Sequence, residues 1–451
     1  MVQTKEHMQK TNYASNYQAS YKSKLVSAEE AMSVVKSGDK IAVHSNCAVP
    51  MRLIDALMLR KDELFDVEMI HVLSVGKLPY LHKDMEGHFR HKSYFMGAEV
   101  RKAVAEGDAD YAPIFLFEYP LLFARGIIKP DIALIQVSPP DEHGFCSYGV
   151  EVGITKTSAE KSSMVIAQVN PNMPRTLGDS FIHISKITYI VECDDPIAEL
   201  PQGERDLTEE QQNIYSKIGE YIANLIEDGS TLQMGIGVIP DSVLQFLTTK
   251  KDLGIHSEMF SDGIIELVEK GILNNSRKKI HPGKIIAGFV LGTRRLYDFI
   301  DNNPLIEFHR QEYVNDPFVI AQNTKMVAIN SAIEVDITGQ VCSDSIGTKL
   351  FSGFGGQVDF IRGAARSEGG RPIIALPSTT KDGKISRIVP SLKPGAGVVT
   401  SRADVHHVVT EYGEVDLFGK SISERVKALI SIAHPEFRDE LAAYAKQHKY
   451  I

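Results

Sequence analysis

The stretch LIEDGSTLQMGIGVIPDSVLQFL, Leu225 to Leu247, contains a whole unit of structure. It leaves a helix, turns at Gly229, runs along a short apolar strand, crosses a loop of small residues and enters an amphipathic helix past Pro240. The same order of signals occurs earlier, in VVKSGDKIAVHSNCAVPMRLIDAL, Val34 to Leu57. There the turn is at Gly38 and the proline is Pro50, with one extra residue in the loop. A strand–loop–helix unit present twice predicts a duplicated α/β architecture.

The surrounding sequence agrees. The runs DIALIQV, SSMVIAQV, KITYIV, KIIAGFVLG and PIIALP are β-branched and continuously apolar, as strands buried on both faces are. TEEQQNIYSKIGEYIANLIEDG and ISERVKALISIA repeat with helical period. The expected fold is α/β: two tandem, similar α/β domains with parallel sheets. The seam falls in the polar, proline-containing stretch Pro196 to Leu207. It leaves a polar arm at 1–23, an N-terminal domain at 24–205 and a C-terminal domain at 206–451.

Composition narrows the function. A chain of 451 residues with 43% hydrophobic and 24% charged residues is globular and too long for one ordinary core. Its net charge of -9 argues against a general binder of nucleic acid or anionic membrane, though not against a local basic pocket. No apolar run is long enough to span a bilayer. The first residues, MVQTKEHMQKTNYASNYQASYKSK, are basic like a transit peptide but lack arginine, and a frayed or docked arm is the preferred reading. Cys47, Cys146, Cys193 and Cys342 are scattered without a CxxC pair, which fits reduced thiols in a cytoplasmic enzyme.

Two glycine-rich loops and one acid carry the chemistry. In STLQMGIGVIPDSV the loop follows a strand and opens a helix, so its amides point past the strand end toward a phosphate or oxyanion. A dinucleotide fold is the rival: Gly235 and Gly237 as fingerprint glycines, with Glu258 the ribose acid roughly twenty residues on. Pro240 stands where the third fingerprint glycine belongs, which weakens that reading. The second loop lies in SDSIGTKLFSGFGGQVDF, where Gly353, Gly355 and Gly356 let backbone approach a ligand or make a tight turn. The acid is Glu258 in LGIHSEMFSDG, at the end of an apolar strand, where it caps the turn or acts as a nucleophile; Asp262, directly before Gly263, is the turn-former.

Other groups receive plainer readings. His82, His88 and His91 are expected as a surface or pocket-rim cluster, with His88 and His91 on one helical face; no metal set is completed. Cys47 has no nameable base and is expected buried and inert. No GxSxG occurs, so a serine esterase lacks its nucleophile elbow.

Taken in order, LQMGIGVIPDSV, LGIHSEMFSDGIIELVEKGIL, SDSIGTKLFSGFGGQVDFIRGA, SRIVP, TSRADVHHVVTEYG and ERVKALISIAHPEFRDEL, with VSPPDEHGFCSYG in the first half, resemble the acetyl-CoA hydrolase/transferase group of family I CoA-transferases. The resemblance runs from about Lys24 to His448. It implies an enzyme that moves coenzyme A between a short-chain acyl-CoA and a free carboxylate of the 4-hydroxybutyrate, butyrate or acetate type, by a ping-pong route through a glutamyl-CoA thioester. By the same resemblance Glu258 is the nucleophile, and Gln233, Met234, Gly235, Ile236, Gly237, Gly353, Gly355 and Gly356 line the coenzyme A and oxyanion site. Ile333 and Lys384 border coenzyme A, and Ser45 and Asn46 face the acyl group in a loop shifted by one residue. Coenzyme A enters as a substrate, with no resident cofactor or metal. A cytoplasmic homodimer acting on small molecules, without membrane or nucleic-acid partners, is implied. Two alternatives stay open: a hydrolase using the same glutamate with water, and a coenzyme A-binding protein without catalysis.

Overall fold

The computed structural model describes residues 17–200 and 207–451. Residues 1–16 of the expected arm and 201–206 of the expected seam therefore lie outside the described residues. From 17 to 23 the arm is helical, and the Tyr21 hydroxyl donates to Glu192 at 2.8 Å. The chain divides into two compact units. The first comprises the described residues of Met1–Ala112, Glu118–Leu200 and Gly288–Glu312; the second comprises Pro113–Phe117, the described residues of Pro201–Ala287, and Tyr313–Ile451.

The first unit contains strands β1 (Lys40–Val43), β2 (Val67–His71), β3 (Phe89–Ser93), β4 (Asp110–Tyr111), β5 (Ile132–Val137), β6 (Phe145–Ser147), β7 (Met164–Val169), β8 (Phe181–His183) and β9 (Tyr189–Glu192). Seven of them form a parallel sheet in the order β4-β3-β2-β1-β5-β7-β9, while β6 and β8 pair antiparallel. All six residues of β5 are buried, as its unbroken apolar run requires. Helix α1 (Met51–Met58) sets Leu53, Ile54 and Leu57 into the core formed with Ile41, Met69 and Leu134.

The second unit repeats the scheme with β10 (Thr231–Met234), β11 (Gly254–Ile255), β12 (Met326–Ser331), β13 (Arg371–Ala375), β14 (His407–Thr410) and β15 (Gly413–Asp416). Their order is β11-β10-β12-β13-β14-β15, parallel except for the edge pair β14–β15. Helix α2 (Glu209–Leu225) starts at a Thr208–Gln211 capping box, and α3 (Val238–Gln245) follows the glycine loop. Ile361 of α4 (Gln357–Arg366) meets Ile374, Val408, and Val426 and Leu429 of α5 (Ile422–Ile432) in the core.

The two copies of the repeated motif occupy equivalent places. Gly38 and Gly229 both turn through positive φ, 83° and 76°, ahead of β1 and β10. Strand β1 lies between β2 and β5, and β10 lies between β11 and β12. In each sheet the strand order reverses beside the motif strand. Such a switch point opens a crevice at the carboxyl ends of the strands, and the loops after β1 and β10 enter it.

Two expectations are corrected. KIIAGFVLG is not one strand: Ile285–Ala287 and Phe289–Val290 are separate elements, broken at Gly288. Gly288 lies in the first unit against Gln311, whose Oε1 would stand 1.9 Å from an added β-carbon. Nor do His88 and His91 share a helical face. His91 lies within β3, whose alternation turns it inward to stack on His71 with ring centroids 4.1 Å apart, while His82 is exposed.

Candidate functional site

Glu258 is positioned from both sides by its neighbours in the sequence. Ser257 Oγ accepts the Met234 amide at 3.2 Å and donates to the Met259 carbonyl at 2.6 Å, tying this segment to the end of β10. The buried His256 donates from Nε2 to the Val314 carbonyl at 2.8 Å, which anchors the residue before Asn315. Asn315, fully buried, donates from Nδ2 to Glu258 Oε2 at 3.0 Å. The Gly356 amide donates to the same carboxylate. Gly356 is the N-cap of α4, so the acid sits at the positive end of a helix.

Desolvation nevertheless dominates. Part of the Glu258 side chain reaches the surface, but protein atoms crowd its carboxyl group. Burial pushes its pKa up to about 7, against the opposing pull of Asn315 and Gly356. A β-carbon at Gly356 would stand 2.0 Å from Glu258 Oε2 and 2.3 Å from Asn315 Nδ2, so only glycine fits. A carboxylate held this way is poised near neutrality and aimed by two donors distant in sequence. It caps no turn.

The first glycine loop is open. A β-carbon at Gly235 or Gly237 would meet nothing within 4 Å, and Ile236 between them is 39% exposed. Gly237 has φ 114° and caps α3, which turns the chain from strand to helix. Gln233 and Met234 are buried in β10, and Gln233 Oε1 accepts from Asn330 at 3.1 Å. In the second loop Gly353 and Gly355 are buried, Gly355 has φ 54°, and its carbonyl accepts the Leu116 amide at 3.1 Å. Phe354 makes an edge contact with Phe115, ring centroids 5.6 Å apart. Ile333 is half-buried with its amide on the Cys342 carbonyl, and Lys384 is exposed.

A cavity of about 250 Å³ lies at the carboxyl edge of the second sheet, lined by Thr208, Gln211 and Tyr215 and by Thr379, Lys381 and Arg387 of the loop after β13. Arg387 is half-buried, and burial lowers its guanidinium pKa. Among the described residues no side chain accepts a hydrogen bond or ion pair from it. Glu411, the nearby acid, is taken by the Ser378 amide and hydroxyl at 2.9 and 2.6 Å.

Ser45 and Asn46 belong to the first unit. Ser45 is buried with its amide on Thr155 Oγ1 and its hydroxyl accepting the Val72 amide, each at 3.3 Å. Asn46 has φ 56°, and among the described residues neither polar atom of its side chain has a partner. Beside them Glu151, fully buried, accepts from the Ile154 amide at 2.7 Å and from the Thr155 hydroxyl, and burial pushes its pKa up to about 7. His44 Nδ1 accepts the Gln136 amide, so Nε2 carries the proton given to the Glu151 carbonyl at 2.7 Å. Cys47 is buried and its thiol is raised to about 11.

The structure thus groups Glu258 with Gly356, and with Met234 through Ser257. Sequence reading missed Asn315, Glu151 and Arg387. The only local signal at Asn315 is the Asn-Asp-Pro run, which marks a helix start at Asp316 and says nothing of the distant acid.

The chain matches the family models for the acetyl-CoA hydrolase/transferase N-terminal domain over residues 8–201 and C-terminal domain over 292–445. It is 52% identical over 421 residues to the 4-hydroxybutyrate coenzyme A transferase of Clostridium kluyveri, covering 93% of this chain and 97% of that one. It is 51% identical over 418 residues to a succinyl-CoA:acetate/propanoyl-CoA:succinate CoA transferase of Fasciola hepatica, covering 92% and 86%. The crystal structure of RipA from Yersinia pestis superposes with a TM-score of 0.89 at 35% identity, covering 96% of this chain and all of that one.

Proposed function

Since the chain belongs to the acetyl-CoA hydrolase/transferase family, we propose that it is a CoA-transferase that moves coenzyme A between a short-chain acyl-CoA and a free carboxylate, with Glu258 as nucleophile. The observation that carries the reading is the Glu258 carboxyl group, raised to about 7 by burial and aimed by Asn315 and Gly356 beside two glycine loops.

In the first step the Glu258 carboxylate attacks the thioester carbonyl, the C–S bond breaks, and coenzyme A leaves as its thiolate, giving a mixed acyl-glutamyl anhydride. The thiolate then attacks the glutamyl carbonyl and expels the first acid as its carboxylate, leaving coenzyme A on Glu258 as a thioester. A second carboxylate attacks that thioester, and the two steps run backward to release a new acyl-CoA. The bond energy stays in the protein throughout.

Donors for the oxyanions are at hand. The Gly356 amide and the Asn315 side chain face the glutamyl oxygen, and the Ile236 amide is the candidate for the acyl oxygen; one such donor is typically worth about 3 kcal/mol. The cavity at Arg387 and Lys381 suits the phosphates of coenzyme A, because a half-buried guanidinium without a carboxylate partner is costly until an anion arrives. 4-Hydroxybutyrate is the expected acid by analogy with the Clostridium kluyveri enzyme, with butyrate and acetate in the same class as the sequence resemblance implies.

The test is peptide mass spectrometry after adding butyryl-CoA without an acceptor acid. The reading requires a coenzyme A adduct on the peptide bearing HSEMFSDG, discharged by acetate and absent in Glu258→Ala. Steady release of free coenzyme A without an adduct or an acceptor would favour hydrolysis by water instead.

A further inference from the structure

Asn315 does not meet Glu258 alone. Its Nδ2 donates to Glu258 Oε2 at 3.0 Å and also to Asp359 Oδ2 at 3.2 Å. Asp359 lies in the first turn of α4, three residues past Gly356, and is 1% exposed. The same Oδ2 accepts the Phe117 amide at 3.3 Å. Phe117 ends the short segment Pro113–Phe117, whose Leu116 amide is on the Gly355 carbonyl and whose Phe115 packs on Phe354. One buried aspartate therefore gathers the Asn315 amide and a segment clasped to the glycine loop.

An asparagine amide has two faces of similar shape and opposite polarity, and which one meets a carboxylate depends on its other partners. Here Asp359 Oδ2 accepts both the Phe117 amide and Asn315 Nδ2, so the nitrogen end of Asn315 is the end that meets it. That same end then donates to Glu258. The reversed amide would set Oδ1 against two carboxylate oxygens. We propose that Asp359 is a positioning residue for the transfer reaction: it fixes the Asn315 amide with its nitrogen toward Glu258. The assignment rests on the reading of Glu258 as nucleophile. Asp359 acts on the acid through Asn315.

The test uses Asp359→Asn in the full chain with butyryl-CoA and acetate. An amide at this position can donate, which lets Asn315 reverse and withdraws a donor from the ionised Glu258. The expected result is kcat lower by about tenfold to a hundredfold, the range for losing a hydrogen bond to a charged group. The midpoint of the acid limb of the pH–rate profile should also move upward, because the lost Asn315 donor outweighs the opposite effect of removing a neighbouring carboxylate not bonded to Glu258. Asp359→Ser, which removes the carboxylate without added bulk, should give the same upward midpoint and covers the case in which the amide variant fails to fold. A wild-type midpoint and kcat in either folded variant would overturn the positioning role while Glu258→Gln stays inactive. Retained turnover in Glu258→Gln would instead overturn the nucleophile, and the positioning role with it.

Discussion

Gly356 and Glu258 are complementary to within an atom: the carboxylate oxygen occupies the space where a side chain at 356 would begin, 2.0 Å from the position of an added β-carbon. The Gly356 backbone, at φ -97° and ψ 10°, is open to any residue, so the glycine is required by the acid and not by the turn. Gly356→Ala should therefore fold normally yet displace Glu258. Turnover should fall by roughly a hundredfold or more, as misplaced reacting groups do. Steady-state rates beside a thermal melt check it; equal losses of both would point to a packing role instead.

The raised acid at 258 sets the pH dependence. The nucleophile must be ionised, and its pKa is pushed up to about 7, so kcat/KM should rise with pH through about 7 and level above it. Stability has the opposite sign. A carboxyl group whose folded pKa exceeds its unfolded value contributes stability below the unfolded value, and this is lost as pH rises through the folded one. Above about pH 7 Glu258→Gln should thus raise the unfolding free energy by about 1–2 kcal/mol after allowance for partial exposure, and the Tm with it. Melts at pH 6 and 8 test the sign.

Arg387 provides a test of substrate anchoring. Arg387→Ala should raise the KM for an acyl-CoA by about tenfold to a hundredfold, the value of a charge-assisted hydrogen bond. With an acyl-pantetheine thioester, which lacks the nucleotide phosphates, the same variant should behave like the wild type. An equal effect on both substrates would place the role elsewhere.

Three buried histidines should limit acid stability. Burial lowers His44 and His91 to about 4 and His71 well below its usual value, the last also through its stacked neighbour His91. The unfolded chain therefore binds protons that the native protein does not. Their contribution is full above about pH 6.5, the unfolded value, and falls as pH drops toward about 4. Melting temperatures from pH 7.5 to 5 should carry this decline against the opposing gain from Glu151 and Glu258, whose raised pKa values stabilise the protein as pH falls below about 7. His91→Gln should flatten the decline, and an unchanged slope would assign it to other groups.

Cys47 shows how a suggestive position can be chemically quiet. It stands in the loop after β1, equivalent to the glycine loop after β10, but it is 1% exposed with its thiol raised to about 11. Cys47→Ala should leave the Glu258 adduct and kcat within about twofold of the wild type, as a chemically silent substitution does. Loss of the adduct would restore the thiol as a candidate.

The sequence by itself determined the sheets, because a strand buried on both faces must be apolar throughout, and DIALIQV, SSMVIAQV and PIIALP declare that without help from any partner. It also determined the pair of strand–loop–helix units at the two switch points, since turn glycine, strand, loop and proline are local signals. Glu258 stood out for the same reason, as an acid at a strand end between glycine-rich loops. What only the tertiary structure decided was how polar side chains pair. Asn315 lies 57 residues from Glu258 and 44 from Asp359, and its spacing in the chain predicts neither contact. His91 was expected in a surface or pocket-rim cluster until β3 turned it inward, and the isolation of Arg387 depended on which donors Glu411 accepts from. Apolar residues carry their destination in their own pattern, whereas a polar group means nothing until its partner is known, and the fold supplies the partner.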